Sequence, residues 1–83
     1  MEDDALMHEL AIVHGIVEAV TEKSAGARIL RVVIEVGQRT AVLPDSLRFC
    51  FDLAAEGTLA EGAELEVLET PGTELRIKEM EVA

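Results

Sequence analysis

The sequence predicts an α+β domain in which two helices pack on one face of a three-stranded sheet, in the order α-β-α-β-β. Three observations predict it. Two stretches repeat their apolar residues at helical spacing, three others alternate with a period of two, and glycine or proline punctuates the joins. The chain of 83 residues makes a single domain, 1–83, with no internal repeat and no linker. At this size folding buries only roughly 60–65% of the unfolded surface, so association with another chain is an obvious source of added stability.

The first helix is the longest periodic element. Leu6, Leu10, Val13, Val17 and Val20 recur at steps of four and three, and Ile12, Ile16 and Ala19 widen that stripe. Asp3 or Asp4 suits the start, where a carboxylate accepts from free amides and favours the positive end. The pattern runs to Glu22 or Lys23, and Gly26 in Ser24-Ala25-Gly26 supplies a left-handed closing residue.

From Ile29 to Val36 the period becomes two. Leu30, Val32, Ile34 and Val36 are expected on the covered face and Arg31 and Glu35 on the other, with Ile29 and Val33 as apolar exceptions. Gly37-Gln38-Arg39-Thr40 breaks this strand. Pro44 then fits the first position of a second helix, Asp45 favours its dipole, Leu47, Cys50, Phe51 and Ala54 form its stripe with Leu53 beside it, and Gly57 closes it.

Leu65 and Val67 alternate with Glu64 and Glu66 in the second strand, which ends at the turn Thr70-Pro71-Gly72-Thr73. The third strand, Glu74 to Val82, moves its apolar set from odd positions (Leu75, Ile77) to even ones (Met80, Val82), which predicts a bulge near Lys78-Glu79. Strands two and three are expected to form an antiparallel hairpin across Pro71-Gly72. Strand one either lies parallel to strand two or has strand three between them. The two edges of such a sheet leave homodimerisation open.

Seventeen acidic against seven basic residues give a formal charge of -10, so nucleic acid and anionic membrane surfaces are poor partners, since their phosphates are bound by Lys and Arg. A cationic partner or metal suits the charge better. Phe49 and Phe51 are the only aromatic residues, too few for a platform on which bases stack. The lone Cys50 forms no internal disulfide, and no signal peptide or membrane span is evident, so a cytoplasmic location is expected.

The most suggestive polar group is Met7-His8-Glu9 at the head of the first helix. Met7-His8-Glu9-Leu10 with Gly15-Ile16-Val17-Glu18, then Arg31 to Gly37, Leu43 to Asp52, Glu56 to Val67 and Glu74 to Val82 follow one another as in the hydrogenase nickel incorporation proteins of the HypA/HybF type, which the chain resembles from Met7 to Val82. The resemblance implies Ni(II) delivery during hydrogenase maturation, with a maturation GTPase and the hydrogenase large subunit as partners and Met7, His8 and Glu9 as metal-site residues. Two departures stand out. The family's zinc module carries two CxxC pairs between the second and third strands, where this sequence has only residues 70–73; with a single cysteine, no structural Cys₄ zinc site is expected. Residues 1–6 also precede the triplet, whereas the family begins at its methionine. A free amine, a backbone nitrogen and an imidazole in one tight chelate favour square-planar Ni(II), and here Met7 offers an amide instead. If Asp3 or Asp4 caps the helix, the His8 amide is committed as well.

Elsewhere the residues read as structural. His14, six positions after His8, lies on a different part of the helix and belongs to its polar face. Cys50 is a small core residue, and the glutamates of the last two strands form a solvated face. No serine-histidine-acid set, phosphate-cradling loop or cleft carboxylate pair is present, so no enzyme activity is expected. The reading is a nickel metallochaperone-like protein; its rival is a HypA-like interaction or assembly module that has lost metal delivery.

Overall fold

The computed structural model describes the backbone from Glu2 and the side chains from His8 onward. The elements are α1 (Glu2–Lys23), β1 (Ile29–Gly37), a 3₁₀ turn (Gln38–Thr40), α2 (Pro44–Ala55), β2 (Glu64–Thr70) and β3 (Leu75–Val82). The α-β-α-β-β order and the layering of two helices on a three-stranded sheet are those the sequence predicts. The expected cap at Asp3 or Asp4 and the side chains of Leu6 and Met7 lie outside the described side chains.

Along α1, Val13, Ile16, Val17 and Val20 are buried against Leu47, Cys50, Phe51 and Ala55 of α2 and against Ile29, Val32, Ile34 and Val36 of β1. The core is wholly aliphatic apart from Phe51 and Cys50. Gly26 closes α1 at φ +89°, and Ala25 before it is also left-handed at φ 53°. Pro44 opens α2 at its first turn and Asp45 follows in that turn, as their chemistry dictates. Ala54 packs at the margin of the core, whereas Leu53 points largely to solvent.

Strand order corrects one expectation. The sheet runs β2-β1-β3, with β1 central, parallel to β2 and antiparallel to β3. β2 and β3 therefore form no hairpin: the helical crossover sets β2 beside β1 on one side, and the last strand takes β1's remaining edge. Residues 71–74 arch across the end of β1, where Gly37 donates to the Glu74 carbonyl at 2.7 Å and Arg39 donates to the Gly72 carbonyl at 3.0 Å. A Cβ on Gly37 would collide with the Gly72 carbonyl, so the crossing requires glycine there.

Two register shifts explain the remaining deviations. On β3, Ile77 pairs with Ile34 and Glu79 with Val33, leaving Lys78 as the extra residue of the expected bulge. On β1 a second shift falls between Ile29 and Arg31, so Ile29 takes the buried place and Leu30, expected inside, is exposed. The far face of the sheet carries Arg31, which hydrogen-bonds the Glu66 carboxylate at 2.5 Å and lies 3.5 Å from Glu79. Val33 is buried on that face yet stands outside the main core, between the register partners Glu66 and Glu79.

Candidate metal site at the head of the first helix

Consecutive helical residues point about 100° apart, and the period of α1 decides where His8 and Glu9 go. Glu9 stands four, seven and eleven residues before Val13, Ile16 and Val20, which puts it on the buried stripe; only 5% of it is exposed. His8 falls on the opposite side and is exposed, as are Ala11, His14 and Gly15. The two side chains therefore diverge, and the Met7 side chain lies outside the described residues.

Glu9 has a partner within the fold. Its Oε2 accepts a hydrogen bond from the Leu43 backbone N–H at 3.0 Å. Leu43 is the N-cap of α2, and its N–H is the one that a glutamate at the third helical position reaches back to in a capping box; that position here is Ser46, and the carboxylate from α1 serves the amide instead. Its negative charge also sits at the positive end of α2. The sequence carried a signal for this: an apolar residue before Pro44 at a helix start, and a glutamate in phase with the buried valines. Sequence reasoning instead grouped Glu9 with His8.

The backbone at His8 is committed too. α1 is continuous from Glu2, and a helix leaves only its first four amides without an internal acceptor, so His8 lies inside the hydrogen-bonded ladder. Among the described residues no group of three or more His, Cys, Asp or Glu is placed to hold a metal ion. Among the described residues, what the head of α1 offers is one accessible imidazole.

Cys50 lies on α2, 1% exposed within the core. Burial pushes its thiol above the usual range, and the negative charge of Glu9 adds to that rise. It is a packing residue, as the sequence predicts, with its reactive thiolate form disfavoured.

Comparison with known proteins adds to this geometry. Residues 7–74 match the model of the family described as "Hydrogenase/urease nickel incorporation, metallochaperone, hypA". The chain belongs to the HypA family. It is 52% identical over 66 residues to the hydrogenase maturation factor HypA of Nostoc punctiforme, an alignment covering 80% of this chain and 58% of that protein. It is 44% identical over 66 residues to the factor of the same name from Geobacter sulfurreducens, covering 80% of this chain and 60% of that protein. The third comparison, HypA of Azotobacter chroococcum, is 48% identical over 69 residues, covering 80% and 61%. The chain thus spans about three-fifths of the length of the HypA proteins it resembles. The family match begins at Met7, the first residue of the Met-His-Glu triplet.

Proposed function

We propose that this chain acts in hydrogenase maturation as a nickel metallochaperone-like protein, a non-catalytic carrier that takes up Ni(II) as cargo at the head of α1. The observation that carries the reading is the exposed His8 in the triplet where the family match begins. A neutral imidazole is a good ligand for Ni(II), and this one is exposed. The acidic charge of -10 favours a divalent cation, and no helix among the described residues is long and apolar enough to cross a membrane. By family analogy the partners are a maturation GTPase and the hydrogenase large subunit, encountered in the cytoplasm.

In this reading His8 acts without its neighbour. Glu9 is occupied at α2, so it shares no side-chain site with His8. A chelate that draws on main-chain nitrogen and helix over the same residues exclude each other, because the amide has one proton and one role. His8 in the continuous helix therefore binds through its ring alone, and a square-planar nitrogen set needs a chain that starts at Met7 and presents a free amine.

Calorimetric titration of Ni(II) into the full chain, into a form beginning at Met7, and into both carrying His8→Ala tests this. The form beginning at Met7 is expected to bind more tightly than the full chain, and the substitution to abolish binding in both. Absence of binding by either unsubstituted form would remove the metal role.

A second reading is favoured by the helix continuity through His8 and the buried Glu9: an interaction or assembly module without metal delivery, in which the triplet serves packing. It predicts that His8→Ala leaves hydrogenase maturation intact in cells. Loss of maturation on that substitution would count against it.

A further inference from the structure

We propose that β3 is the interface of a two-fold symmetric dimer, in which its free edge pairs antiparallel with the β3 of a second copy to form a continuous six-stranded sheet. β3 is an edge strand whose one partner among the described residues is β1. Such an edge offers a row of unpaired N–H and C=O groups to any strand of compatible pattern.

The sequence of β3 is complementary to itself. Antiparallel pairing about the midpoint between Lys78 and Glu79 sets Lys78 against Glu79 of the second copy, Arg76 against Glu81, Ile77 against Met80 and Leu75 against Val82. Every pair joins opposite charges or two apolar residues. Facing agrees as well: Leu75, Ile77, Met80 and Val82 pair in register with Val36, Ile34, Val32 and Ile29, all buried on the helix side of β1. Arg76, Glu79 and Glu81 oppose Glu35, Val33 and Arg31 on the other side. The bulge at Lys78 does not spoil this match, because both strands carry it at the symmetry axis and so keep equal length. Arg76 already pairs with Glu35 and Glu81 lies 3.9 Å from Arg31, so each would gain a second partner across the axis. The other edge has no such property: β2 carries Glu64, Glu66 and Glu69 and no cation.

A second observation falls at the same place. A groove of about 340 Å³ runs between α1 and β3, lined by Ala11, Ile12, Gly15 and Ile16 on one wall and by Leu75, Arg76 and Ile77 on the other. A two-fold axis normal to the sheet brings the second copy's α1 into the same layer, toward this wall. Gly15 lies in the middle of α1, where glycine weakens a helix relative to alanine, and a Cβ there would meet nothing within 4 Å. No contact among the described residues accounts for it. Close approach of a second α1 does.

Sedimentation velocity of the full chain over a concentration series tests the proposal, with Lys78→Glu, the double variant Lys78→Glu/Glu79→Lys, and Gly15→Leu. A reversible dimer is expected. Lys78→Glu sets like charges opposite one another twice by symmetry and should raise the dimer dissociation constant at least about tenfold. The double variant restores opposite charges across the axis and should recover the dimer, which mere misfolding could not mimic. Gly15→Leu should favour monomer without lowering the thermal midpoint of folding. A chain that stays monomeric at every concentration, or a dimer indifferent to Lys78→Glu and Gly15→Leu, would overturn the assignment.

Discussion

The carboxylate of Glu9 and the backbone N–H of Leu43 form a 3.0 Å hydrogen bond that joins the head of α1 to the first turn of α2. Because Glu9 is buried and its partner is the N-cap of a helix without a local acceptor, the contact combines a charge-assisted hydrogen bond with a favourable dipole. Glu9→Ala is expected to cost about 2 kcal/mol of stability in urea unfolding, with Glu9→Gln intermediate, since the amide oxygen still accepts but the charge is gone. An unchanged midpoint in Glu9→Ala would show that the bond does not hold the helices together.

Gly37 and Gly72 meet where residues 71–74 cross β1, but the two glycines are not equivalent. A Cβ on Gly37 would strike backbone, whereas one on Gly72 would meet the end of the Glu74 side chain, 2.7 Å away and able to rotate. Gly37→Ala should therefore lose ~1–3 kcal/mol and Gly72→Ala less than about 1 kcal/mol. Equal losses would place the strain elsewhere.

The two phenylalanines, two positions apart on α2, face opposite ways. Phe51 is fully buried and Phe49 is 59% exposed. Phe51→Ala should cost about 3–5 kcal/mol by opening a cavity, and Phe49→Ala should stay within about 0.5 kcal/mol. Thermal unfolding of the two variants would separate them at once.

Glu74 gives the crossing a pH dependence. The Thr70 hydroxyl, which donates to Oε1 at 2.5 Å, holds this carboxyl below the ordinary glutamate range, with its own backbone N–H and the charge of Arg76 assisting. A depressed folded pKa means that the stabilisation is present above the unfolded value and is lost as pH falls through the folded one. Thr70→Val should move the Glu74 titration, followed by carboxyl carbon NMR, upward toward the ordinary glutamate range. A curve that did not move would relieve the hydroxyl of that role.

Much of this architecture was legible because local chemistry and global packing agree. The valines of α1, Pro44 at the start of α2 and the change of phase around Lys78 each announced their element from sequence spacing alone. Strand order was not legible, because Pro71-Gly72 suits a tight hairpin and an arch over a third strand equally well; the choice lies in long-range pairing that β1 wins from both sides. Leu30 misled for a related reason, since one extra residue on β1 reverses its facing. At the candidate site, His8 as an exposed imidazole could be read from the triplet. Glu9 could not be assigned to α2 without knowing that Leu43 folds back beside it.

The arch formed by residues 71–74 fixes the polarity of the molecule. α1 runs down to the turn that feeds β1, so its head shares a pole with the far end of β1, with Leu43 and with Gly72. Any guest module spliced between Gly72 and Thr73 would hang at that pole, just ahead of Leu75 at the start of β3. Such a guest would cap one end of the sheet and leave clear the opposite end, where β3 finishes at Val82.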